Sequence, residues 1–389
     1  MVAVGCIGLK VVLSVDPVKY PLTGIGRYTY ELALGLEQAN IDDLKFFRGT
    51  RFLPKLQTPG NVAPMSKLSA WKLYAQKCRV AVGLYRKLNP LLKARALKGL
   101  ENYIFHGPNY YLPPFAGLSV VTFHDLSVYL WPKSHPPERV RYMRAEIELS
   151  LKRAAALITD TEYTRQEVAK YFGWPLERIH AVPLASTPDF RPQTFEELQP
   201  LLKPLGLKAG GYTLFTGTVE PRKNIELLLD AYALLPAAIR TRWPLVISGY
   251  RGWNSGELHA KLKTAQAEGW LRYLGFVPGD TLPGLMAGAR LFAFPSWYEG
   301  FGLPVLEAMA CGVPVVCSNA STLPEVAGDA AAYHDPSDLD ALVSQLRVGL
   351  EDDVWRGGAA KAGIRQAAKF SWEQCVQQTL EVYRSVAKT

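Results

Sequence analysis

One stretch decides the fold: Trp297-Tyr-Glu-Gly-Phe-Gly-Leu-Pro-Val-Leu-Glu-Ala-Met-Ala-Cys-Gly312. It follows an apolar run, residues 289–294, that is typical of a buried strand. Pro304 stands where a helix begins and Gly312 where it ends. The turn before the helix is rich in glycine, which lets the backbone approach a ligand. Because the first amides of a helix have no partner within it and its dipole makes that end positive, the pattern predicts a phosphate site.

Two carboxylates, Glu299 and Glu307, bracket this turn. Neither is favoured beside a bound diphosphate, since like charges repel. Each can accept hydrogen bonds from hydroxyl groups at one end of such a ligand. The alternative interpretation is a loop of glycines with two surface glutamates on a core helix.

The two glutamates and their context, Glu299-Gly-Phe-Gly-Leu-Pro304, resemble the signature of the family-4 retaining glycosyltransferases. Ala-Cys-Gly-Val-Pro-Val-Val, directly after, strengthens the resemblance. It implies the GT-B architecture, in which two Rossmann-like doubly wound α/β domains face each other. It also implies that Glu307 takes the ribose hydroxyls of a nucleotide sugar and that Glu299 takes a hydroxyl of the transferred sugar. The turn and helix start, Gly300, Phe301, Gly302 and Leu303, would hold the diphosphate.

The length of 389 residues is enough for two domains. Short apolar runs alternate with helical patterns in both halves, which predicts parallel sheets covered by helices. Three prolines among residues 183–192 mark a boundary. We therefore expect an N-terminal, acceptor-binding domain over 1–190 and a nucleotide-sugar-binding domain over 191–370. The resemblance implies that a last helix, 371–389, packs back on the N-terminal domain.

The apolar segments are short, and none reaches the roughly 20 residues that span a bilayer. Residues 2–15 are read as a first strand and not as a signal peptide, because they contain Lys10 and lead into Asp16. The five cysteines are odd in number and share no metal-ligand spacing. Reduced thiols in a cytoplasmic protein are the simplest interpretation.

The net charge of +9 is unevenly distributed. Residues 45–100 contain thirteen lysines or arginines and no acidic residue. Apolar residues recur there at steps of three and four, which predicts a basic amphipathic helix within 68–100: Leu68, Trp71, Tyr74, Cys78, Ala81, Leu84, Tyr85 and Leu88. Such a helix favours an anionic membrane surface, although a core-facing helix with a basic outer side is the alternative. Since no nucleic-acid-binding module accompanies the charge, no nucleic-acid partner is expected.

A basic pair, Arg222 and Lys223, follows a predicted strand in the sequence Thr216-Gly-Thr-Val-Glu-Pro-Arg-Lys223. Arginine offers a planar fork to phosphate oxygens and lysine a point charge. At the end of a parallel strand the pair lies where open α/β sheets bind ligands. The family has a matching pair, which implies that Arg222 and Lys223 neutralise a leaving diphosphate. Two solvated loop charges are the alternative.

The segment Thr23-Gly24-Ile-Gly26-Arg27 lies between the first strand and the first helix. It fails as a dinucleotide fingerprint, because Thr29 replaces the third glycine. By resemblance, a loop containing Gly24 and Gly26 reaches across the cleft toward the phosphates and the transferred sugar.

Several strand ends carry further candidates. His124 is similar to a family histidine that hydrogen-bonds the transferred sugar, and Asp125 either holds its loop or meets the acceptor hydroxyl. The segment His106-Gly-Pro-Asn109, which ends another strand, is a weaker candidate for the acceptor side. In the second half, the backbone at Gly249, Phe276 and Val277 falls where the family binds ribose and base.

One Asp-x-Asp sequence, Asp338-Leu-Asp340, raises the question of a metal-bound diphosphate. It falls at the start of a predicted helix, where acidic residues favour the helix dipole. We therefore expect no metal and no cofactor besides the donor substrate.

The family resemblance implies a retaining, metal-independent transferase that moves a hexose, mannose or a deoxyhexose such as rhamnose, from a GDP-linked sugar to a lipid-linked saccharide. The sequence resembles bacterial transferases of surface-polysaccharide (O-antigen) assembly, which implies a cytoplasmic protein at the inner face of the membrane. A UDP-sugar-dependent transferase, a nucleotide-sugar epimerase and a non-catalytic nucleotide-sugar-binding subunit are the alternatives. Nothing in the sequence decides the oligomeric state.

Overall fold

The computed structural model describes residues 8–39, 41–56, 79–253 and 256–388, and for residues 79–87 the backbone only. The part of the predicted amphipathic helix at 68–78 therefore lies outside the described residues.

The first half of the chain is built around a sheet that is parallel except at one edge. Its strands are β1 (Lys10–Ser14), β2 (Asp43–Arg48), β3 (Arg51–Leu53), β4 (Ile104–Gly107), β5 (Ser119–Phe123), β6 (Ala156–Thr159) and β7 (Ile179–Ala181). They lie in the order β3-β2-β1-β4-β5-β6-β7, with only β3 antiparallel to its neighbour. The helices are α1 (Gly24–Gln38), α2 (Arg79–Ala96), α3 (Ser127–Leu130), α4 (Pro137–Arg153) and α5 (Glu162–Phe172).

The second half repeats the architecture with a fully parallel sheet. Its strands are β8 (Thr213–Thr216), β9 (Leu245–Ser248), β10 (Leu271–Gly275), β11 (Leu291–Phe294), β12 (Val315–Ser318) and β13 (Ala331–His334). Their order is β10-β9-β8-β11-β12-β13. The helices are α6 (Phe195–Leu202), α7 (Ile225–Leu234), α8 (Ala237–Arg242), α9 (Gly256–Ala267), α10 (Leu282–Ala287), α11 (Leu303–Ala310), α12 (Leu323–Ala327), α13 (Leu339–Glu351), α14 (Asp353–Ala367) and α15 (Trp372–Ala387).

The central strands are buried at every position, because helices cover both faces of each sheet. This confirms the prediction of two doubly wound α/β domains. In each sheet the strand order reverses beside the first strand, between β1 and β4 and between β8 and β11. Ligands of open α/β sheets bind in the crevice at such a reversal, outside the carboxyl ends of the strands. The fold therefore provides two facing crevices.

The last helix, α15, leaves the second domain and packs against α1 of the first. Val376 lies so close to Gly35 of α1 that a Cβ atom there would clash with it. The hydroxyl of Tyr383 lies 2.6 Å from Nδ1 of His106, at the centre of the first sheet. The resemblance implied that the last helix packs on the N-terminal domain, and these are the contacts that α15 makes there.

The two domains also touch across the cleft. Both carboxylate oxygens of Glu325 accept backbone N–H groups at the start of α5, from Glu162 at 2.8 Å and Tyr163 at 2.9 Å. The Tyr298 hydroxyl donates to Glu167 at 2.6 Å and accepts the backbone N–H of Leu126 at 3.0 Å. The structure is thus a closed arrangement of the domains.

The basic stretch begins on β2, which carries Lys45 and Arg48 and whose Phe46 and Phe47 are buried in two separate core clusters. One expectation from the sequence was wrong in detail: the segment with Gly24 and Gly26 does not precede the first helix, because α1 begins at Gly24. Among the described helices, none combines the length and the apolar character that a membrane span requires.

Candidate active site

Lys223 lies just after β8, in a short 3-10 turn at the reversal point of the second sheet. Its ammonium group lies 2.7 and 2.9 Å from the two carboxylate oxygens of Glu299, which follows β11. The ammonium group also lies 5.1 Å from the centre of the Phe294 ring. Only 11% of the Lys223 side chain is exposed. The two sequence-predicted residues therefore come together as a buried ion pair.

Arg222 is paired as well. Its guanidinium lies 2.7 Å from Glu220 and 3.4 Å from Glu299, and it donates to the carbonyl oxygen of Tyr298. Its Nε has no hydrogen-bond partner in the described structure. Burial opposes the charge, but Glu299 and Glu220 raise the pKa of Arg222. The alternative of two solvated loop charges is therefore wrong, and the positive groups are already neutralised by carboxylates.

Glu299 is the carboxylate that both basic residues share. Burial alone would raise its pKa, but the charges of Lys223 and Arg222 hold the pKa below its ordinary value. Its backbone N–H donates to the Ser321 hydroxyl at 2.9 Å. Glu299 is therefore an ionised hydrogen-bond acceptor whose present partner is Lys223.

Two helix starts converge at this cluster. Gly302, with φ of +101°, precedes α11, and a Cβ atom at Gly24 would lie 3.7 Å from Leu303 across the cleft. Gly24 and Gly26 form the first turn of α1 and not a loop, which is a correction to the expectation from the sequence. Since both helix starts carry positive dipole ends, the space between them favours an anion.

Gly300 and Phe301 complete the turn. A Cβ atom at Gly300 would overlap the carbonyl oxygen of His124 in the other domain. Phe301 is buried against Phe370, with ring centres 5.9 Å apart. The glycine permits domain contact, and the phenylalanine anchors the turn.

Glu307 lies on the first turns of α11. Burial raises its pKa to about 8, although the charge of Arg27 opposes this shift. The carboxyl is therefore predominantly protonated at neutral pH, when it can both donate and accept hydrogen bonds.

His124 does not offer a free nitrogen to the cleft, contrary to the expectation. Its Nδ1 lies 2.8 Å from Asp160 and its Nε2 2.9 Å from the carbonyl oxygen of Pro108. Both ring nitrogens are therefore engaged by groups of the N-terminal domain. Burial lowers its pKa, but Asp160 more than reverses this and raises it. The ring thus faces inward, and a sugar can reach it only after a rearrangement.

Asp125 holds its loop, which is one of the two roles expected. Its Oδ1 accepts from the backbone and hydroxyl of Ser127 at 2.9 and 2.8 Å and from the Tyr110 hydroxyl at 3.1 Å. Burial would raise its pKa, but Arg222 and these donors lower it.

His106 was wrongly assigned to the acceptor side. It is fully buried, its Nε2 lies 2.9 Å from the Thr122 hydroxyl, and Tyr383 holds its Nδ1. Burial, together with the nearby His124, lowers its pKa to about 3, so it is a neutral core residue.

The predicted base-binding side contains an aromatic residue that the sequence analysis missed. Gly249, with φ of +152°, packs against the backbone of Gly217, where a Cβ atom would overlap. The next residue, Tyr250, stacks on Phe276 with ring centres 4.4 Å apart and 15° between the planes. Both rings are partly exposed, whereas Val277 is buried. In the sequence, a tyrosine that follows a glycine at the end of a predicted strand was the pattern that could have identified Tyr250.

Asp338 accepts the backbone N–H of Ala341 at 2.8 Å and so caps α13, as its position at a helix start indicated. Over the described ranges, no three His, Cys, Asp or Glu side chains cluster as metal ligands would.

A cavity of about 420 Å³ lies between the domains, beside Arg222. Its lining includes Asn109, from the segment singled out after β4, and residues that the sequence analysis did not single out: Tyr110, Tyr111, Ser127, His135, Arg139, Tyr142, Thr218 and Trp253. They come from many separate segments, so no local pattern announces them. The cavity leads from the basic pair into the N-terminal domain.

Comparison with known proteins agrees with this architecture. Residues 22–186 match the family described as Glycosyltransferase Family 4, and residues 204–369 match Glycosyl transferases group 1. The chain is 45% identical to the O-antigen chain mannosyltransferase B of Escherichia coli over 97% of this chain and 100% of that protein. It is 34% identical to the serotype-specific mannosyltransferase WbdA of Escherichia coli, over 65% of this chain and 32% of that longer protein.

Among solved structures, Anabaena Alr3699/HepE in complex with UDP and glucose superposes with a TM-score of 0.70 at 18% identity, over 97% of this chain and all of that one. That likeness shows the shared GT-B fold. The chain belongs to the glycosyltransferases that combine a family-4 N-terminal domain with a group-1 C-terminal domain.

Proposed function

We propose that the protein transfers mannose, with retention of configuration and without a metal ion, from GDP-mannose to a lipid-linked saccharide during bacterial O-antigen synthesis. The 45% identity to an O-antigen chain mannosyltransferase over both whole chains carries the choice of sugar and pathway. GDP is proposed because the sequence resembles transferases that use GDP-linked sugars.

The ion pair between Lys223 and Glu299 supports a mechanism in which binding of the nucleotide sugar separates the two side chains. A sugar hydroxyl that donates to Glu299 replaces one N–H of Lys223, and the released ammonium turns to the diphosphate. The convergent helix starts at Gly24 and Leu303 supply further positive potential. Protein groups thereby stabilise the charge that builds on the leaving diphosphate.

Retention is proposed with the leaving phosphate as the group that takes the acceptor's proton. The acceptor attacks the face from which the diphosphate departs, while the sugar ring carries positive charge. Closure of the domains excludes water, which otherwise hydrolyses the donor.

The membrane contact is proposed through α2. Three of its leucines, Leu88, Leu91 and Leu92, are exposed, and the following turn carries Lys93 and Arg95. Apolar side chains next to basic ones fit the interface of an anionic bilayer. Lys93 is pinned to Asp16 at 2.8 Å, so the helix is fixed to the acceptor-side domain. The protein would then act at the inner face of the cytoplasmic membrane.

The experiment is an assay of sugar transfer with GDP-mannose, GDP-rhamnose and UDP-glucose as donors and a mannose-terminated glycolipid as acceptor, with and without EDTA. Transfer from GDP-mannose that EDTA leaves unchanged, with an α-linked product, is expected. A requirement for a divalent ion, or preference for UDP-glucose, would contradict the proposal.

A further inference from the structure

His135 lines the interdomain cavity, and only 6% of its surface is exposed. Its Nε2 lies 2.9 Å from the Ser127 hydroxyl, whereas its Nδ1 has no hydrogen-bond partner among the residues that the structure describes. A buried polar atom without a partner is costly, so a ligand that supplies one is favoured.

The hydrogen bonds around Ser127 fix which nitrogen carries the proton. The Ser127 hydroxyl donates to Asp125 at 2.8 Å, and it can donate only once. It must therefore accept from Nε2–H of His135, which leaves Nδ1 as a bare lone pair. Burial and the charge of Arg139 lower the pKa of His135 to about 4, so the ring stays neutral at physiological pH.

Trp253 of the other domain covers this histidine. The two rings lie 6.0 Å apart, the indole N–H donates to the carbonyl oxygen of Ser134, and the Arg139 guanidinium lies 5.1 Å from the indole ring. Arg222 lines the same cavity as His135.

We propose that Nδ1 of His135 accepts a hydrogen bond from a hydroxyl of the saccharide acceptor, held in position by the chain Asp125–Ser127–His135. This proposal rests on the proposed function, whose acceptor it locates. Asp125 accepts a hydrogen bond from Ser127, which in turn accepts one from His135. These bonds orient the imidazole, and the imidazole itself stays neutral beside the phosphates. His135 is thus a specificity-determining residue for a hydroxylated, uncharged acceptor.

The test uses two substitutions that separate the nitrogens. In His135→Gln the amide N–H can still reach Ser127 but the acceptor atom at the Nδ1 position is lost. In His135→Asn an amide oxygen stands near the Nδ1 position. We expect His135→Gln to raise the acceptor KM roughly tenfold to a hundredfold, and His135→Asn to raise it less. GDP affinity and donor hydrolysis should stay within about twofold. His180→Gln, on β7, is the matched control.

An unchanged acceptor KM in His135→Gln, or an equal loss of GDP affinity, overturns the inference. If the wild-type protein transfers sugar from no donor, the proposed function fails, and nitrogen NMR of labelled histidines still decides the inference. A mannose-terminated disaccharide, added with GDP, should shift the Nδ1 signal of His135 in the wild-type protein. A signal that does not move overturns it.

Discussion

The ion-pair cluster around Lys223 and the series of hydrogen bonds Asp125–Ser127–His135 differ in how their charges are compensated. In the first, Arg222 and Lys223 are locked to Glu220 and Glu299, so a ligand must exchange partners with existing ion pairs. In the second, a single carboxylate is linked through a hydroxyl to a neutral imidazole. If the proposed function is correct, a charged donor must exchange partners with ion pairs on one side of the cleft, whereas an acceptor meets neutral hydrogen-bonding groups on the other.

The largest effect is expected from removal of Lys223. Lys223→Met keeps the length of the side chain but should lower kcat by roughly 10²–10³, because a preorganised cation no longer stabilises the departing charge. It should also destabilise the fold by about 3–5 kcal/mol, since Glu299 is left buried with half of its compensation. Steady-state kinetics and urea unfolding measure the two effects.

Lys223→Met with Glu299→Gln is the control for that prediction. The double substitution should recover much of the stability without recovering turnover. Near-normal turnover in the double variant would contradict the exchange of partners.

Domain contact is tested at Gly300. Gly300→Ala forces a Cβ atom into the His124 carbonyl, so the domains must separate, and a displacement of about 1 Å can cost roughly a hundredfold in kcat/KM. Gly357→Ala, in open space on α14, is the matched control and should stabilise the protein by about 0.5–1 kcal/mol. Equal activity in both variants would show that closure is not needed.

A smaller effect is expected from the pH dependence of Glu307. Its folded pKa of about 8 lies above that of an unfolded glutamate, so the folded state binds the proton more tightly. Stability should therefore fall as pH rises from about 4.5 to 8, by at most about 1.4 kcal/mol per unit. Glu307→Gln, measured by urea unfolding at several pH values, should remove this part of the slope. An identical slope in the variant would place the carboxyl in a more polar setting.

The smallest effect concerns α2. Leu91→Ser with Leu92→Ser should reduce pelleting with anionic liposomes a few-fold, since an interfacial helix binds through its buried apolar area. Leu234→Ser, equally exposed on α7 of the other domain, should leave pelleting unchanged. If all three proteins pelleted alike, α2 would be an ordinary scaffold helix.

The sequence was sufficient for the fold because the strands and helices follow local patterns of apolar residues. Glu299, Gly300 and Glu307 lie close together in the sequence, and Arg222 and Lys223 follow one strand, so short motifs single them out as candidates. The sequence could not reveal which side chains contact each other, because the contacts of Lys223 with Glu299 and of His124 with Asp160 join segments that are distant in sequence. For the same reason His106 was misplaced, because its partner Tyr383 is 277 residues away.

The bond between His106 and Tyr383 bears on how the chain matures during synthesis. The histidine lies on a middle strand of the first sheet, yet the hydroxyl that satisfies its Nδ1 lies 277 residues later, beyond the second sheet. Until then the nascent N-terminal half carries an unsatisfied polar atom and an uncovered apolar surface on α1. The N-terminal domain, which is translated first, therefore gains these contacts only after the second domain has been translated.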